Sequence, residues 1–298
     1  MTPHEAWRAW DWQPLTLAAL VATAALYWRG VGLLWKGGRR RGVRSWQVAL
    51  FVAGLTAIFV ALISPVHAMS QALLSAHMAQ HVLLLAVAPP LIVLGSPAVA
   101  FAAALPARWR RSARSSGRTP PLPPVRRALS QPFAVWALAL LALWLWHAPP
   151  LYQLALRSQS VHVLEHATFF GTALLFWWVA LQPSGPRRLP RGFDVLYVFT
   201  GSFQGAALGF LMTFATVPLY PFYGTTVGAW GLTPLQDQQL AGIFMWLPTG
   251  VIYLIAAGGL FLKWMHAIER SSLRLEGEAQ VRAHSPFPPS SPSEALSR

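Results

Sequence analysis

Apolar residues along this chain gather in seven blocks, at about 15–35, 46–64, 73–94, 131–147, 161–181, 193–216 and 239–262. An α-helix rises 1.5 Å per residue, so a block of about 20 residues crosses the roughly 30 Å hydrocarbon core of a bilayer. The pattern predicts an all-α fold: a polytopic membrane helix bundle of seven transmembrane helices, forming one membrane domain over residues 15–265. Within the third block Pro89-Pro90 removes two backbone donors, so neighbouring helices must re-satisfy the freed carbonyls. The sixth block carries Gly201, Gly205 and Gly209, a face of small residues predicted to admit another helix of the chain at close range. The stretch Ala98–Leu105, after Gly95-Ser96-Pro97, is too short to span and is expected at the inner interface.

Composition agrees: 55% of the 298 residues are hydrophobic and 11% charged, against roughly 25% charged in soluble domains. A net charge of +14 would suit nucleic acid, but its distribution points to a lipid bilayer instead. Lys36 to Arg44 holds five positive charges, Arg108 to Arg127 seven, Arg187 to Arg191 three, and Lys263 onward five, all in alternate connections. The opposite connections hold only Arg8 and Arg157. By the positive-inside rule the N-terminus lies outside and the C-terminus in the cytoplasm. Residues 1–14 are then a short periplasmic N-terminus, with no basic leader of the secretory kind. The basic, proline-rich loop at about 106–130 and the tail 266–298 are expected to be disordered and cytoplasmic. Tryptophans at the block ends, among them Trp10, Trp12, Trp35, Trp46, Trp177, Trp178 and Trp264, read as interfacial anchors.

That orientation makes the histidines informative. His77 and His81 begin the third block, His147 closes the fourth, and His162 and His166 begin the fifth, all at its outer end together with His67. Residues i and i+4 share one helix face, so each pair can turn both imidazoles toward a common ion. The chain has no cysteine, which excludes thiolate sites. Ionisable groups inside a membrane span mark function by default. His77, His81, His162 and His166 are therefore candidate metal ligands, with His147, Met78 and Met245 as further candidates. Glu165 and Asp237 are candidates to orient ligands or take protons, although Asp237 could equally cap its helix.

Imidazole suits copper, zinc, iron and nickel, and thioether selects Cu(I). The methionines thus tilt the choice toward copper. Two stacked haems would not fit pairs one helical turn, about 5.4 Å, apart. Zinc remains the alternative. His162-Val163-Leu164-Glu165-His166 matches H-x-x-E-H, in which the glutamate of a hydrolase acts on zinc-bound water. A third possibility is a metal-free scaffold whose histidines only hydrogen-bond.

The pieces from residue 65 to 265 also resemble a family. They are His77-Met78-Ala79-Gln80-His81 with Pro89-Pro90; Leu143-Trp144 through His147 with Leu151-Tyr152; and His162 to His166. Leu219-Tyr220-Pro221-Phe222-Tyr223 and Asp237-Gln238-Gln239-Leu240-Ala241-Gly242 with Met245-Trp246 complete the set. In this order they resemble the multi-spanning bacterial cytochrome c oxidase assembly factors of the CtaG type. Val179 stands where many relatives carry proline. The resemblance implies a non-enzymatic role in the bacterial inner (plasma) membrane, serving the respiratory chain. It implies maturation of a haem-copper oxidase by supplying or seating copper near its periplasmic subunit; that the chain itself binds copper, as a metal chaperone with a periplasm-facing site, is the expectation drawn from the histidines and methionines above. The implied partner is a cytochrome c oxidase subunit or another copper carrier.

Overall fold

The computed structural model describes residues 2–36, 38, 42–106, 131–181, 189–190 and 192–283, and every regular element among them is helical. Seven long helices follow the seven apolar blocks. They are α1 (Pro14–Trp35), α2 (Ser45–Leu62), α3 (Leu74–Leu94), α4 (Pro132–His147), α5 (Gln159–Leu181), α6 (Phe193–Thr213) and α7 (Pro234–Ala283). Six are long and apolar enough to cross a bilayer alone. The exception, α4, has 16 residues and qualifies only with the short helix Pro149–Arg157, bent from it by 73°. Sequence explains the bend: Ala148 precedes Pro149-Pro150, and its extended backbone (ψ 128°) is what a residue before proline adopts.

One expectation is corrected at the far end of the chain. The tail was expected to be disordered from residue 266, but α7 runs on as a helix through Ala283. Between His266 and Ala283 the sequence offers one breaker, Gly277, and no proline, so nothing stops the helix. The basic segment 107–130 and residues 284–298, also expected to be disordered, lie outside the described residues.

Small residues set the closest crossing. A Cβ on Gly209 of α6 would fall 2.9 Å from the Gly242 carbonyl oxygen of α7, and one on Gly242 would strike Gly209 in turn. Only glycine at both positions permits that approach. Gly201 faces the Phe176 ring of α5, while Gly205 makes only ordinary contact. The short helix Pro97–Ala104 packs on α1 through Gly30 and the Ala100 backbone.

The most enclosed of the apolar helices is α3. Past its second turn it loosens into a π-helical segment, Leu83–Val87, before continuing as Ala88–Leu94. In a regular helix Pro89 would occupy the place of the donor to Leu85, and it has no N–H to give. The Leu85 carbonyl instead accepts the indole Nε1–H of Trp177 from α5, at 3.0 Å. Trp177 is fully buried in the core, which corrects its expected place in an interfacial belt.

Candidate metal centre

At one end of the bundle meet the first turns of α3, α5 and α7, the last turn of α4, and the loop between α6 and α7. The i,i+4 spacing does here what the sequence predicts, and α3 and α5 turn their imidazoles toward each other. The rings of His77 and His166 are 5.8 Å apart, and those of His81 and His166 5.5 Å. His77, His81, Glu165 and His166, all buried, each present a ligand atom within 4.8 Å of the others.

Hydrogen bonds around this group fix which nitrogens face inward. Tyr223 Oη donates to the Ser70 carbonyl at 3.2 Å, so toward His77 it accepts, from Nδ1–H at 3.1 Å. Tyr152 Oη donates to the same oxygen. Burial pushes the Tyr223 phenol well up, which keeps it a protonated donor. With its proton on Nδ1, His77 points an Nε2 lone pair at His81 Nε2, 2.9 Å away. Similarly, His147 Nδ1–H donates to the Leu143 carbonyl at 2.7 Å, and its Nε2 has no partner among the described residues. The ring of His147 lies 5.5 Å from that of His81.

Glu165 completes the group. Its Oε2 is 3.9 Å from His77 Nε2 and its Oε1 3.8 Å from His81 Nε2. Both distances are too long for hydrogen bonds. Neither oxygen has another partner among the described residues. The nitrogens His162 Nε2, His166 Nε2 and His81 Nδ1 are likewise buried without partners. A buried polar atom left unpaired is costly, and four of these groups, His77, His81, Glu165 and His166, stand close enough together for one cation to offset that cost.

The remaining candidates fall in different places. Glu165, expected to orient ligands, stands among the four ligand-capable groups. His162 lies beside them, its ring 5.2 Å from His77 and 4.2 Å from His166. Met78 and Met245 pack with Met212, Tyr152 and Tyr223 in a core cluster flanking the site. Met245 also lines, with His81, a cavity of about 80 Å³. Asp237 is a cap, but for another helix. Its carboxylate accepts from the backbone N–H groups of Leu74 (2.7 Å) and Ser75 (3.1 Å) and from the Ser75 hydroxyl, at the open start of α3.

Sequence reasoning left out the supporting shell. Gln80, between the two histidines of α3, donates Nε2–H to the Ala61 carbonyl at 2.6 Å and to His67 Nδ1 at 2.9 Å. His67 Nε2 then faces Asp11 Oδ2 at 3.1 Å. Burial holds the His67 imidazole below its ordinary value, against the opposing pull of Asp11. Tyr220 Oη anchors the His147 carbonyl at 2.7 Å. Only the polar character of Gln80 and Asp11 in so apolar a chain hinted at these roles.

Fold and site together define a class: a multi-pass helical membrane protein with a buried histidine and carboxylate centre near one end of its bundle. The chain belongs to the cytochrome c oxidase caa3 assembly factor family (Caa3_CtaG), whose profile matches residues 25–267. Among curated relatives, uncharacterized proteins of Mycobacterium bovis and Mycobacterium tuberculosis are each 28% identical over 288 residues, 91% of this chain and 41% of theirs. An uncharacterized protein of Mycobacterium leprae is 28% identical over 260 residues, 80% of this chain and 38% of its own. The chain thus spans less than half the length of these relatives. No solved structure matches it.

Proposed function

We propose that this cytochrome c oxidase assembly factor binds copper as cargo at the centre formed by His77, His81, Glu165 and His166, and passes it to an oxidase subunit or to another copper carrier. One observation carries the reading: the unpaired carboxylate of Glu165 facing two imidazole nitrogens 2.9 Å apart, all enclosed in apolar helices. Imidazole and carboxylate suit a divalent first-row metal, and the neighbouring methionines suit a reduced one. His147 and His162 flank the centre as exchange ligands, a feature suited to cargo that must leave. The basic connections favour an orientation with the centre at the periplasmic end, where copper arrives without crossing the bilayer.

A second reading has a specific observation behind it. Glu165 lies among the histidines, as a zinc hydrolase of H-x-x-E-H type requires. Metal analysis of the purified full-length protein separates the two. About one copper per chain, lost in His77→Ala plus His166→Ala, supports copper delivery. Tightly held zinc with peptidase turnover that disappears in Glu165→Gln supports hydrolysis instead. If the protein takes up no metal, and oxidase in the cell keeps its copper when these histidines are replaced, the proposal fails.

A further inference from the structure

Helix α1 is fastened to the bundle at both ends. Before its first turn the Asp11 N–H donates to the Ile63 carbonyl at 3.1 Å, and towards its last turns Tyr27 Oη donates to the Gly95 carbonyl at 2.8 Å. Between these points lies a cavity of about 600 Å³, walled by Leu20, Phe51, Leu55, Ile92, Phe101 and Leu174 among others. Its polar lining is confined to Thr16, Thr23 and the Trp178 indole. A second cavity, of about 200 Å³, adjoins it, and Thr16, Ile58, Leu62 and Phe170 border both. This one is polar, lined by Gln13, His67, Gln159, His162 and His166. Among the described residues, neither lining includes a lysine, arginine, aspartate or glutamate. Both nitrogens of His67 are engaged, Nδ1 by Gln80 and Nε2 beside Asp11, so His67 offers the cavity only its ring face. The His162 ring lies 6.0 Å from it and 16° from parallel. His162 stands outside the four-group centre, and its Nε2 is buried without a partner among the described residues.

We propose that the paired cavities hold one neutral membrane lipid of the quinone class, its apolar tail in the larger part and its ring in the polar part, with a ring oxygen bonded to His162 Nε2. This goes beyond the copper reading and does not rest on it. Apolar walls do not hold water, and an unfilled space of that size forfeits the contacts its lining could make, so within a bilayer an apolar chain is the fitting occupant. Benzene fills an engineered cavity of about 150 Å³. The polar part, at about 200 Å³, therefore takes a substituted six-membered ring. Flat faces of His67, His162 and Phe170 suit such a ring. Charge selects against a phospholipid, whose phosphate would enter a lining that holds no cation to pair with it. An imidazole nitrogen can donate to a quinone carbonyl or accept from a quinol hydroxyl, so both redox forms fit.

The test uses the full-length, metal-free protein in detergent, so its result is separate from that of the copper analysis. After bound lipid is stripped, decylubiquinone is titrated in, and the quinone retained is counted by solvent extraction and chromatography. The parent is expected to hold one equivalent. His162→Leu removes the hydrogen bond to the ring and is expected to weaken binding about tenfold. Ala19→Trp fills the apolar part without changing any candidate metal ligand, and is expected to weaken binding at least as much. Leu174→Trp serves the same purpose should Ala19→Trp lower the melting temperature of the stripped protein. Decylubiquinone binding that none of these substitutions alters would place the quinone on the outside of the bundle and overturn the site. A parent that binds no decylubiquinone overturns it as well, and so does a tightly held phospholipid that decylubiquinone fails to displace.

Discussion

Neither oxygen of Glu165 finds a donor among the described residues, and His77 and His81 stand too far off to supply one. An unpaired buried carboxylate carries a penalty of several kcal/mol, which a bound cation would remove. Replacing Glu165 by glutamine keeps the shape and removes the charge. The metal-free variant is therefore expected to melt no lower than the metal-free parent. The rise in melting temperature on adding copper should shrink sharply, because a ligand present at 100 times its Kd contributes about 2.7 kcal/mol and that term falls as affinity falls. Differential scanning fluorimetry with and without copper measures both halves. A metal-free variant that melts far below the parent would mean Glu165 is paired in a way this geometry lacks. His162-Val163-Leu164-Glu165-His166 made this residue visible in the sequence, because a carboxylate between two histidines on an apolar helix has few structural uses. Its rank did not follow. Whether it ligates or orients depends on α3, more than 80 residues away in the chain.

Helices show the same division between what periodicity reveals and what tertiary contact decides. Seven apolar blocks gave seven long helices, and the i,i+4 rule placed the imidazoles because both are local regularities. Pro89-Pro90 announced freed carbonyls, but no local rule could name Trp177 as the donor that answers one, since Trp177 reads like an interfacial anchor. Asp237 is a similar case. It opens its own helix, so capping α7 was the natural expectation, yet it caps α3 from 163 residues away. Leu73, the residue before α3, has no capping side chain of its own. Asp237→Ala would leave the Leu74 and Ser75 N–H groups unpaired in a buried setting, where charged hydrogen bonds are worth about 1.5–3 kcal/mol each. A loss of about 3 kcal/mol in stability is expected, together with weaker metal binding, because His77 sits one turn further along the frayed helix. Trp177→Phe is expected to cost about 2–3 kcal/mol, from the unpaired Leu85 carbonyl and the smaller ring. Its metal affinity should change little, since the π-helical segment lies beyond His81. Thermal or denaturant unfolding set beside copper titration tells the two variants apart, and equal loss of affinity in both would refute the distinction.

For the whole molecule the open variable is which end faces outward. The centre, Pro65–Ser70 and the loop from Phe214 to Thr233 share one end; Thr226 Oγ1 donates to the Ala72 carbonyl there at 2.8 Å. At the other end α7 continues past Lys263. Its 50 residues measure about 75 Å, more than twice the roughly 30 Å of hydrocarbon, so its C-terminal part must leave the bilayer. From the charge pattern that end is expected in the cytoplasm. A chain without cysteine allows this to be tested cleanly, because one introduced thiol is then the sole reactive group. Thr225 and Ser272 are both exposed, one in the loop beside the centre and the other on the emerging part of α7. In intact spheroplasts a membrane-impermeant maleimide is expected to label Thr225→Cys fully and Ser272→Cys only after lysis. The reverse pattern would set the centre against the cytoplasm, and copper would then have to be drawn from the cytoplasmic pool. Equal labelling of both before lysis would point to chains inserted in two orientations. Either result would remove the reason for bringing copper to the centre from the periplasm, because that route depends on the same end of the bundle.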